Sequence, residues 1–208
     1  MTIDKDFFRQ VMGRFATGIT VVTTSSQGTP AGLTVNAFCS VSLNPPLVLV
    51  CVDLNSQALS LIRESKAFAV NMLHNKQEYL SRCFATHSRD RFENFCQVSY
   101  HTAVTDSPIF DDSLAFIDTR VVAEYPGGDH AIFLSEVVAM GTSERTTYAE
   151  KPDELQEPLM HLNGNTPTEP PAPLLYFMAQ YRHLAEQYRE PSLPTSAHDE
   201  AYERKSST

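Results

Sequence analysis

The sequence lacks several features that define common classes of protein. Tryptophan is absent, so the 12 Phe and 8 Tyr must supply the aromatic part of the interior. No apolar run approaches the roughly 18 residues of a membrane-spanning helix. The first ten residues, MTIDKDFFRQ, lack the apolar stretch of a signal peptide. With 208 residues, 42 % of them hydrophobic, we expect a soluble, cytoplasmic protein with one ordinary core.

Acidic residues outnumber basic ones, and the formal net charge is −9. Binding of nucleic acid or of an anionic membrane surface needs clustered Lys and Arg. We therefore expect neither as a partner. A small anion could still bind at a single arginine or at main-chain N–H groups.

Familiar catalytic motifs are missing as well. The sequence has no G-x-S-x-G elbow, no H-E-x-x-H, no Walker A motif and no G-x-G-x-x-G. The cysteines at 39, 51, 83 and 96 form no C-x-x-C pair and have no His at zinc-like spacing. We expect reduced, buried thiols and no metal site. A cofactor would then carry the chemistry.

Hydrophobic periodicity predicts short helices among many strands. The expected helices are 4–17, 56–66 and 75–85, and the expected strands are 19–24, 31–43, 47–53, 67–73, 97–104, 113–125, 131–142 and 173–184. Because β and α segments do not alternate, we predict a closed or partly closed antiparallel barrel with helices at its ends. The barrel domain would span residues 1–184, with 144–172 as a proline-rich insertion or arm and 185–208 as a polar tail.

Small polar side chains occupy a segment where a core strand would carry Val or Ile. Thr34 and Asn36 share one face of the predicted strand, as do Ser40 and Ser42. Short hydroxyls and an amide suit a planar heteroaromatic ring and a phosphate. The alternative is an edge strand whose polar side chains face water.

Five runs of sequence, in this order and spacing, carry a resemblance to a known family. They are GLTVNAFCSVSLNPPLVLVCVD, SRCFA, DRF, GGDHAIFLSEV and PLLYFMAQYR. They resemble the flavin reductase domain family, the NAD(P)H:flavin oxidoreductases of two-component monooxygenases. The resemblance covers residues 5–143 and 173–184.

The resemblance implies a mainly β fold with short helices at the barrel ends, a split β-barrel of the Greek-key, FMN-binding type. It also implies a homodimer that binds FMN or FAD and uses NADH or NADPH as co-substrate. The implied activity is hydride transfer from nicotinamide to flavin, with the reduced flavin supplied to a separate monooxygenase. Two alternatives are a flavoprotein that reduces another small acceptor, such as a corrin cobalt, and a non-enzymatic flavin- or haem-binding module on the same fold.

The resemblance also implies the site. The implied flavin-binding residues are Thr34, Val35, Asn36, Ala37, Ser40, Val41, Ser42, Cys51, Val52, Asp53, Ser56, Gln57, Phe84, Ala85, Arg91 and Phe92. His130 would place the nicotinamide, and Tyr181 with Arg182 would contact the dinucleotide. From the residues alone, other roles stay open: Ser56 as a helix cap, Arg91 in a surface salt bridge, and His130 as a turn residue.

The chain departs from the family pattern in two places. Residues 144–172 stand where relatives have a short loop, and Ala179 stands where they often have Gly. The insertion could cover the active site, extend a dimer interface or dock a partner.

Overall fold

The structure is a computed structural model, and it describes residues 3–142, 145–149 and 172–184. The helices are α1 (Lys5–Met12), α2 (Gln57–Ser65), α3 (Glu78–Ala85) and α4 (Arg89–Asn94), with 3₁₀ turns at Asn75–Gln77 and Phe95–Gln97. The strands are β1 (Thr17–Gly18), β2 (Thr20–Ser26), β3 (Thr29–Val35), β4 (Phe38–Leu43), β5 (Pro46–Asp53), β6 (Ala67–Met72), β7 (Tyr100–His101), β8 (Ile109–Phe110), β9 (Ala115–Gly127), β10 (His130–Thr142), β11 (Thr146–Tyr148), β12 (Leu175–Phe177) and β13 (Gln180–Arg182).

One antiparallel sheet forms the body of the protein. Its strand order is β3-β2-β6-β9-β10-β5-β4, and β11 pairs with the far part of β10. The two end strands, β3 and β4, are joined only by Asn36 and Ala37, so the sheet must curl until its ends approach each other. Among the described residues no ladder joins β3 to β4 or β5, and the barrel stays split along this line.

Both faces of the central strands are covered, which explains why β2 is buried almost throughout. Val22, Leu33 and Phe68 belong to a cluster inside the barrel, which α2 closes. Val21 and Phe84 belong to a second cluster, on the outer face under α3. Burying a side chain of this kind contributes about 1.5–3 kcal/mol, so these two clusters hold the barrel and α3 in fixed relation.

The long hairpin of β9 and β10 places His130 at the start of a strand. The connection Gly127–Asp129 turns the chain, and Gly128 has a φ of +76°, which glycine adopts without a steric penalty. His130 therefore begins β10, opposite Gly127 on one side and Asp53 on the other.

The expected elements differ from the structure at four places. The strand expected at 97–104 is reduced to Tyr100–His101, which pairs with β8. The strand expected at 31–43 is interrupted at Asn36–Ala37, where the chain passes from one sheet end to the other. The strand expected at 173–184 is the hairpin of β12 and β13. The first helix ends at Met12, with Gly13 as its C-cap, rather than at 17.

The proline-rich segment begins with a short strand. Thr146–Tyr148 pairs with β10, where Tyr148 lies opposite Ala139. Most of the predicted insertion, together with the tail at 185–208, lies outside the described residues. None of the helices in the described part of the chain is long and apolar enough to cross a membrane.

The expectation of reduced, buried thiols is wrong for the pair that forms a disulfide, and it is wrong on burial for Cys39, which is exposed. Cys83 and Cys96 form a disulfide with an S–S distance of 2.02 Å, whereas Cys39 and Cys51 are free. Residues 95–97 form a left-handed turn, with φ values of 48°, 53° and 53° at Phe95, Cys96 and Gln97. Such backbone costs a non-glycine residue on the order of 1–3 kcal/mol, so surrounding contacts must hold this turn.

Candidate functional site

A cavity of about 1230 Å³ lies between α1 and the barrel. One wall is formed by α1 and the residues just after it, which contribute Phe8, Met12 and Phe15. The opposite wall includes the β3–β4 connection and β5. Ligand sites in proteins commonly enclose about 300–1,000 Å³, so the space is ample for a cofactor-sized molecule.

Three of the predicted residues line this cavity: Asn36, Ala37 and Cys51. The main-chain N–H of Cys51 donates to the carbonyl of Ala37 at 3.0 Å, which fixes the connection against β5. Burial raises the pKa of the Cys51 thiol, and the neighbouring Cys39 raises it further. Cys51 is therefore held as a neutral thiol in the wall.

Thr17 also lines the cavity, but its hydroxyl does not face the open space. Its Oγ1 is buried without a hydrogen-bond partner among the described residues. An unpaired buried hydroxyl costs about 1–3 kcal/mol.

The residues predicted on β4 do not line the cavity. Ser40 and Val41 are exposed, and Ser42 is half-buried with its Oγ accepting from the N–H of Asn44 at 3.2 Å. The register shifts between Ser40 and Ser42, so the two serines do not alternate as in a regular strand. For β4, the alternative of polar side chains facing water describes what the structure shows.

Three of the predicted residues point into the core. Val35 and Val52 pack inside the barrel, and Phe84 packs in the outer cluster. The Phe84 ring stands so close to Gly32 that a Cβ there would meet its Cε1 at 2.7 Å. Val52 and Phe84 have no exposed surface, and Val35 is only 6% exposed, so their side chains support the site from within the core.

Thr34 is joined to α3 and to the C-terminal hairpin. Its hydroxyl donates to the carbonyl of Ser81 at 2.7 Å, and the Ser81 hydroxyl lies 2.9 Å from that of Tyr181. The Arg82 guanidinium stacks over the Tyr181 ring at 4.6 Å. Since the Thr34 hydrogen is used, its oxygen offers only acceptor capacity to a ligand.

Arg91 is buried, which excludes the surface salt bridge considered from the sequence. Its Nε donates to the Gly32 carbonyl at 3.0 Å and its Nη1 to the Thr86 carbonyl at 3.2 Å. Burial lowers the pKa of Arg91 from its ordinary value, although an arginine stays charged. The guanidinium also lies over the exposed Phe92 ring, and Ala85 is exposed nearby on α3.

His130 lies at the opposite end of the split. Its Nδ1 is 2.7 Å from Oδ1 of Asp129, and that hydrogen bond lowers the pKa of Asp129. The positive charge of Lys5 on α1 lowers it further. If Nδ1 donates to the carboxylate, Nε2 has no partner among the described residues and is free for a ligand.

The residues that follow β5 pack against this turn. The N–H of Leu54 donates to the Asp129 carbonyl at 3.0 Å, and the Asp53 carboxylate accepts from the N–H of Asn55 at 2.7 Å. The Ser56 hydroxyl caps α2 by accepting from the N–H of Ala58 at 3.3 Å. Gln57 follows, exposed in the first turn of α2.

The structure thus divides the predicted residues into groups along the split. Asn36, Ala37 and Cys51 line the cavity, Thr34 and Arg91 lie on the α3 side, and His130 lies at the α2 side. Arg182 is exposed at the end of β13, beyond Tyr181. Within the described residues, no three His, Cys, Asp or Glu side chains gather as metal ligands.

Sequence reasoning missed several residues of this region. They are Phe8, Met12, Phe15, Thr17, Cys39, Ser81 and Arg82. The apolar spacing on α1 indicated one face but not the surface it would cover. Ser81 and Arg82 precede Phe84 on α3, so helical spacing could have drawn attention to them.

A split antiparallel barrel with a large cavity at its open edge defines a class of small ligand-binding β-proteins. The family described as "Flavin reductase like domain" matches residues 12–185. This chain belongs to that family. The predicted split-barrel fold is confirmed by its solved relatives.

Relatives match over most of the chain. It is 32% identical over 196 residues to the reductase subunit HsaB of a flavin-dependent monooxygenase from Mycobacterium tuberculosis, which covers 94% of this chain and 88% of that protein. It is 39% identical over 139 residues to an NADH-dependent FAD reductase of Streptomyces globisporus, covering 65% of this chain and 75% of that protein.

Two solved structures share the fold. Component B of nitrilotriacetate monooxygenase from Mycobacterium thermoresistibile has a TM-score of 0.74 and 31% identity, covering 92% of each chain. The NADH:FAD oxidoreductase of Streptomyces globisporus, solved with NAD and FAD fragments, has a TM-score of 0.70 and 30% identity. That match covers 89% of this chain and 95% of the other.

Proposed function

We propose that this protein is an NAD(P)H-dependent flavin reductase that transfers a hydride from nicotinamide to FMN or FAD. The observation that carries the proposal is the cavity at the split, which is lined by Asn36, Ala37 and Cys51 in a chain of the flavin reductase family. Relatives named as an NADH-dependent FAD reductase and as a flavin reductase (NADH) support the reaction class.

The cavity residues fit a flavin. The apolar α1 wall suits the faces of a planar ring. Main-chain groups at Asn36 and Ala37 would hold the ring edge. The flavin, when bound, supplies the chemistry as a hydride acceptor. The protein holds the ring, excludes water and orients the second substrate.

A phosphate group would be held away from the ring. In the first turn of α2 the N–H groups of Ala58 and Leu59 already donate to Ser56, and a phosphate there would rely on the N–H of Gln57 and on the helix dipole. Arg91 is the second candidate. It carries a buried positive charge, and no carboxylate among the described residues forms an ion pair with it. Two of its N–H groups bind carbonyls, which leaves others for a phosphate.

His130 is proposed to position the nicotinamide. The hydrogen bond to Asp129 fixes the ring orientation and directs the proton to Nδ1. A residue of this kind raises the rate by orientation rather than by proton transfer. Tyr181 and Arg182 are proposed to contact the rest of the dinucleotide.

The protein is proposed to act as a homodimer. An apolar group is exposed on α1 and just after it: Phe7, Phe8, Val11, Met12 and Phe15 are between 50% and 71% exposed. Leu43 at the end of β4 is 94% exposed. Contiguous apolar patches of this kind mark interaction surfaces. The family resemblance makes a second copy of this chain the expected occupant.

A separate monooxygenase is the proposed consumer of the reduced flavin. The support is that relatives are named as reductase components of monooxygenases. A cytoplasmic location is proposed with it, since the two components would have to share a compartment. The choice between FMN and FAD, and between NADH and NADPH, is a matter for measurement.

Steady-state kinetics with the purified chain test the proposed function. NADH and NADPH oxidation would be followed with riboflavin, FMN or FAD as acceptor. Flavin-dependent oxidation supports the reductase. Slow oxidation with free flavins but fast oxidation with a corrin cobalt acceptor would favour the first alternative. No oxidation with any acceptor would favour a binding module.

A further inference from the structure

We propose that the Cys83–Cys96 disulfide is a redox control of the flavin site, and that its reduction weakens flavin binding. This inference rests on the proposed function. Disulfides of intracellular proteins are mostly catalytic or redox-sensing. In the cytoplasmic location proposed above, this bond would therefore be subject to reduction.

The disulfide joins α3 to the segment that follows α4. Cys83 lies on α3 beside the core residue Phe84, and it is half-buried. Cys96 is only 6% exposed. Cys83 is therefore the more accessible residue of the pair, and the first attack of an external thiol is assigned to its sulfur.

The bond restrains a turn that its own sequence does not favour. Phe95, Cys96 and Gln97 all have positive φ, and none is a glycine. Other contacts also hold them. The Phe95 N–H donates to the Asp90 carbonyl, and Gln97 Nε2 donates to Asp90 Oδ1 at 3.1 Å. The Phe95 ring packs edge-on against Phe84, Tyr100 and Phe110. Loss of the covalent restraint would let this turn relax toward ordinary backbone.

The turn is connected to the proposed flavin site through α4. Phe95 is the C-cap of that helix, whose buried residue is Arg91. Arg91 binds the carbonyl of Gly32, two residues before Thr34 on β3. A shift of α4 would therefore displace the guanidinium proposed to hold the phosphate, and would release β3 from one of its supports.

The exchange is ordinary thiol–disulfide chemistry. A dithiol attacks Sγ of Cys83 as the thiolate, the S–S bond breaks, and the Cys96 sulfur leaves and takes up a proton. The second thiol of the reagent attacks the mixed disulfide, releasing Cys83 as a thiol and the reagent as its cyclic disulfide. Two electrons and two protons pass from the dithiol to the protein.

Asp90 gives the reduced state a contact that the disulfide lacks. Its Oδ2 lies 3.7 Å from Sγ of Cys83, a sulfur that carries no hydrogen while it is bonded to Cys96. After reduction the Cys83 thiol can donate to this carboxylate. Asp90 also accepts from Gln97 through its other oxygen, Oδ1, so the new bond would join the reduced Cys83 to a carboxylate that contacts the turn.

The test compares FMN affinity before and after reduction of the full chain. The protein would be treated with dithiothreitol, desalted without oxygen and titrated with FMN, while thiol counting follows the rise from two free cysteines to four. We expect the dissociation constant to rise about tenfold, as for one lost charge-assisted hydrogen bond. The NADH oxidation rate should recover at saturating FMN.

A double variant provides the matched control. Cys83→Ser with Cys96→Ser should bind FMN as weakly as the reduced protein and should not respond to dithiothreitol. Equal affinity in the oxidised and reduced wild type would overturn the redox control, as would four free thiols before any treatment. A protein that binds FMN in neither state would instead contradict the proposed function, and this inference with it.

Discussion

Nε of Arg91 donates a hydrogen bond of 3.0 Å to the main-chain carbonyl of Gly32. The contact joins α4 to β3 at a glycine whose open side is filled by the Phe84 ring. A guanidinium that is 8% exposed and has no carboxylate partner among the described residues keeps its charge at a desolvation cost. An anionic ligand would offset that cost.

Substitution Arg91→Lys tests this role. A lysine ammonium cannot reproduce two carbonyl bonds and a phosphate contact at once. We expect FMN affinity to fall by about tenfold or more, equivalent to roughly 1.4 kcal/mol, with a smaller loss for riboflavin, which has no phosphate. Fluorescence titration with both flavins measures the difference.

The neighbouring Arg89→Lys variant is the control for Arg91. Arg89 is exposed on the same helix and pairs with Glu93 at 3.1 Å. The Arg89→Lys variant should leave the affinities for FMN and for riboflavin unchanged. Equal losses of FMN and riboflavin affinity in Arg91→Lys would show that Arg91 supports β3 and does not bind phosphate.

The Asp129–His130 pair makes a second prediction. His130→Ala should lower the rate of flavin reduction by NADH by tenfold or more, about 1.4 kcal/mol in activation free energy, while FMN affinity changes little. Asp129→Asn should give a smaller loss, because the ring stays but its orientation is freed. Stopped-flow reduction of the bound flavin measures both.

The His101–Asp111 pair provides a control for the His130→Ala variant. His101 lies 2.8 Å from Asp111 in an exposed His–Asp contact. His101→Ala should reduce flavin at the wild-type rate. Unchanged kinetics in His130→Ala would show that His130 is a turn residue, the alternative left open by the sequence.

The apolar outer side of α1 predicts how the chain assembles. Phe7 and Val11 are exposed and do not line the cavity, unlike Phe8 and Met12. The double substitution Phe7→Ser with Val11→Ser should convert a dimer to monomers, as sedimentation would detect. Tyr79→Ser removes a similarly exposed aromatic ring from α3 and should leave the dimer intact. A wild-type protein that sediments as a monomer contradicts the proposal.

The burial of Asp118 predicts that the free energy of unfolding depends on pH. It is fully buried, and burial raises its pKa although Thr105 and Val104 donate hydrogen bonds to it. Between its unfolded pKa, about 3.9, and the raised folded value, the folded state holds more protons. Stability conferred by this residue therefore falls as pH rises through that window.

Urea unfolding across the acid range measures the Asp118 effect. The free energy of unfolding of wild type, relative to Asp118→Asn, should decline as pH rises from about 4. Asp106→Asn, an exposed neighbour, controls for general charge effects. If the free energy of unfolding of wild type, relative to Asp118→Asn, instead rose with pH, the result would contradict a raised pKa for Asp118.

Local patterns in the sequence were sufficient for most of the fold. Alternation and turn residues predicted the strands around 19–24 and 47–53, and the helix that Ser56 caps. The break at Asn36–Ala37 was missed because strand propensity continues across it. What ends the strand there is the curvature of the whole sheet, a long-range property.

The disulfide had no local signal at all. Cys83 and Cys96 are 13 residues apart, and the left-handed turn that brings them together contains no glycine to reveal it. The cavity was missed for a similar reason. The spacing of Phe8, Met12 and Phe15 defined a helix face, but not the surface opposite it. Residue roles at the site came from the family resemblance and stay predictions.

The most direct test is an anaerobic absorbance titration of the purified protein with FMN, followed by NADH. We expect the flavin spectrum to shift on binding and its long-wavelength band to bleach when NADH is added, slowly in His130→Ala and rapidly in wild type. A protein that leaves the flavin spectrum unshifted, or that binds flavin which NADH never reduces, would contradict the proposed flavin reductase activity.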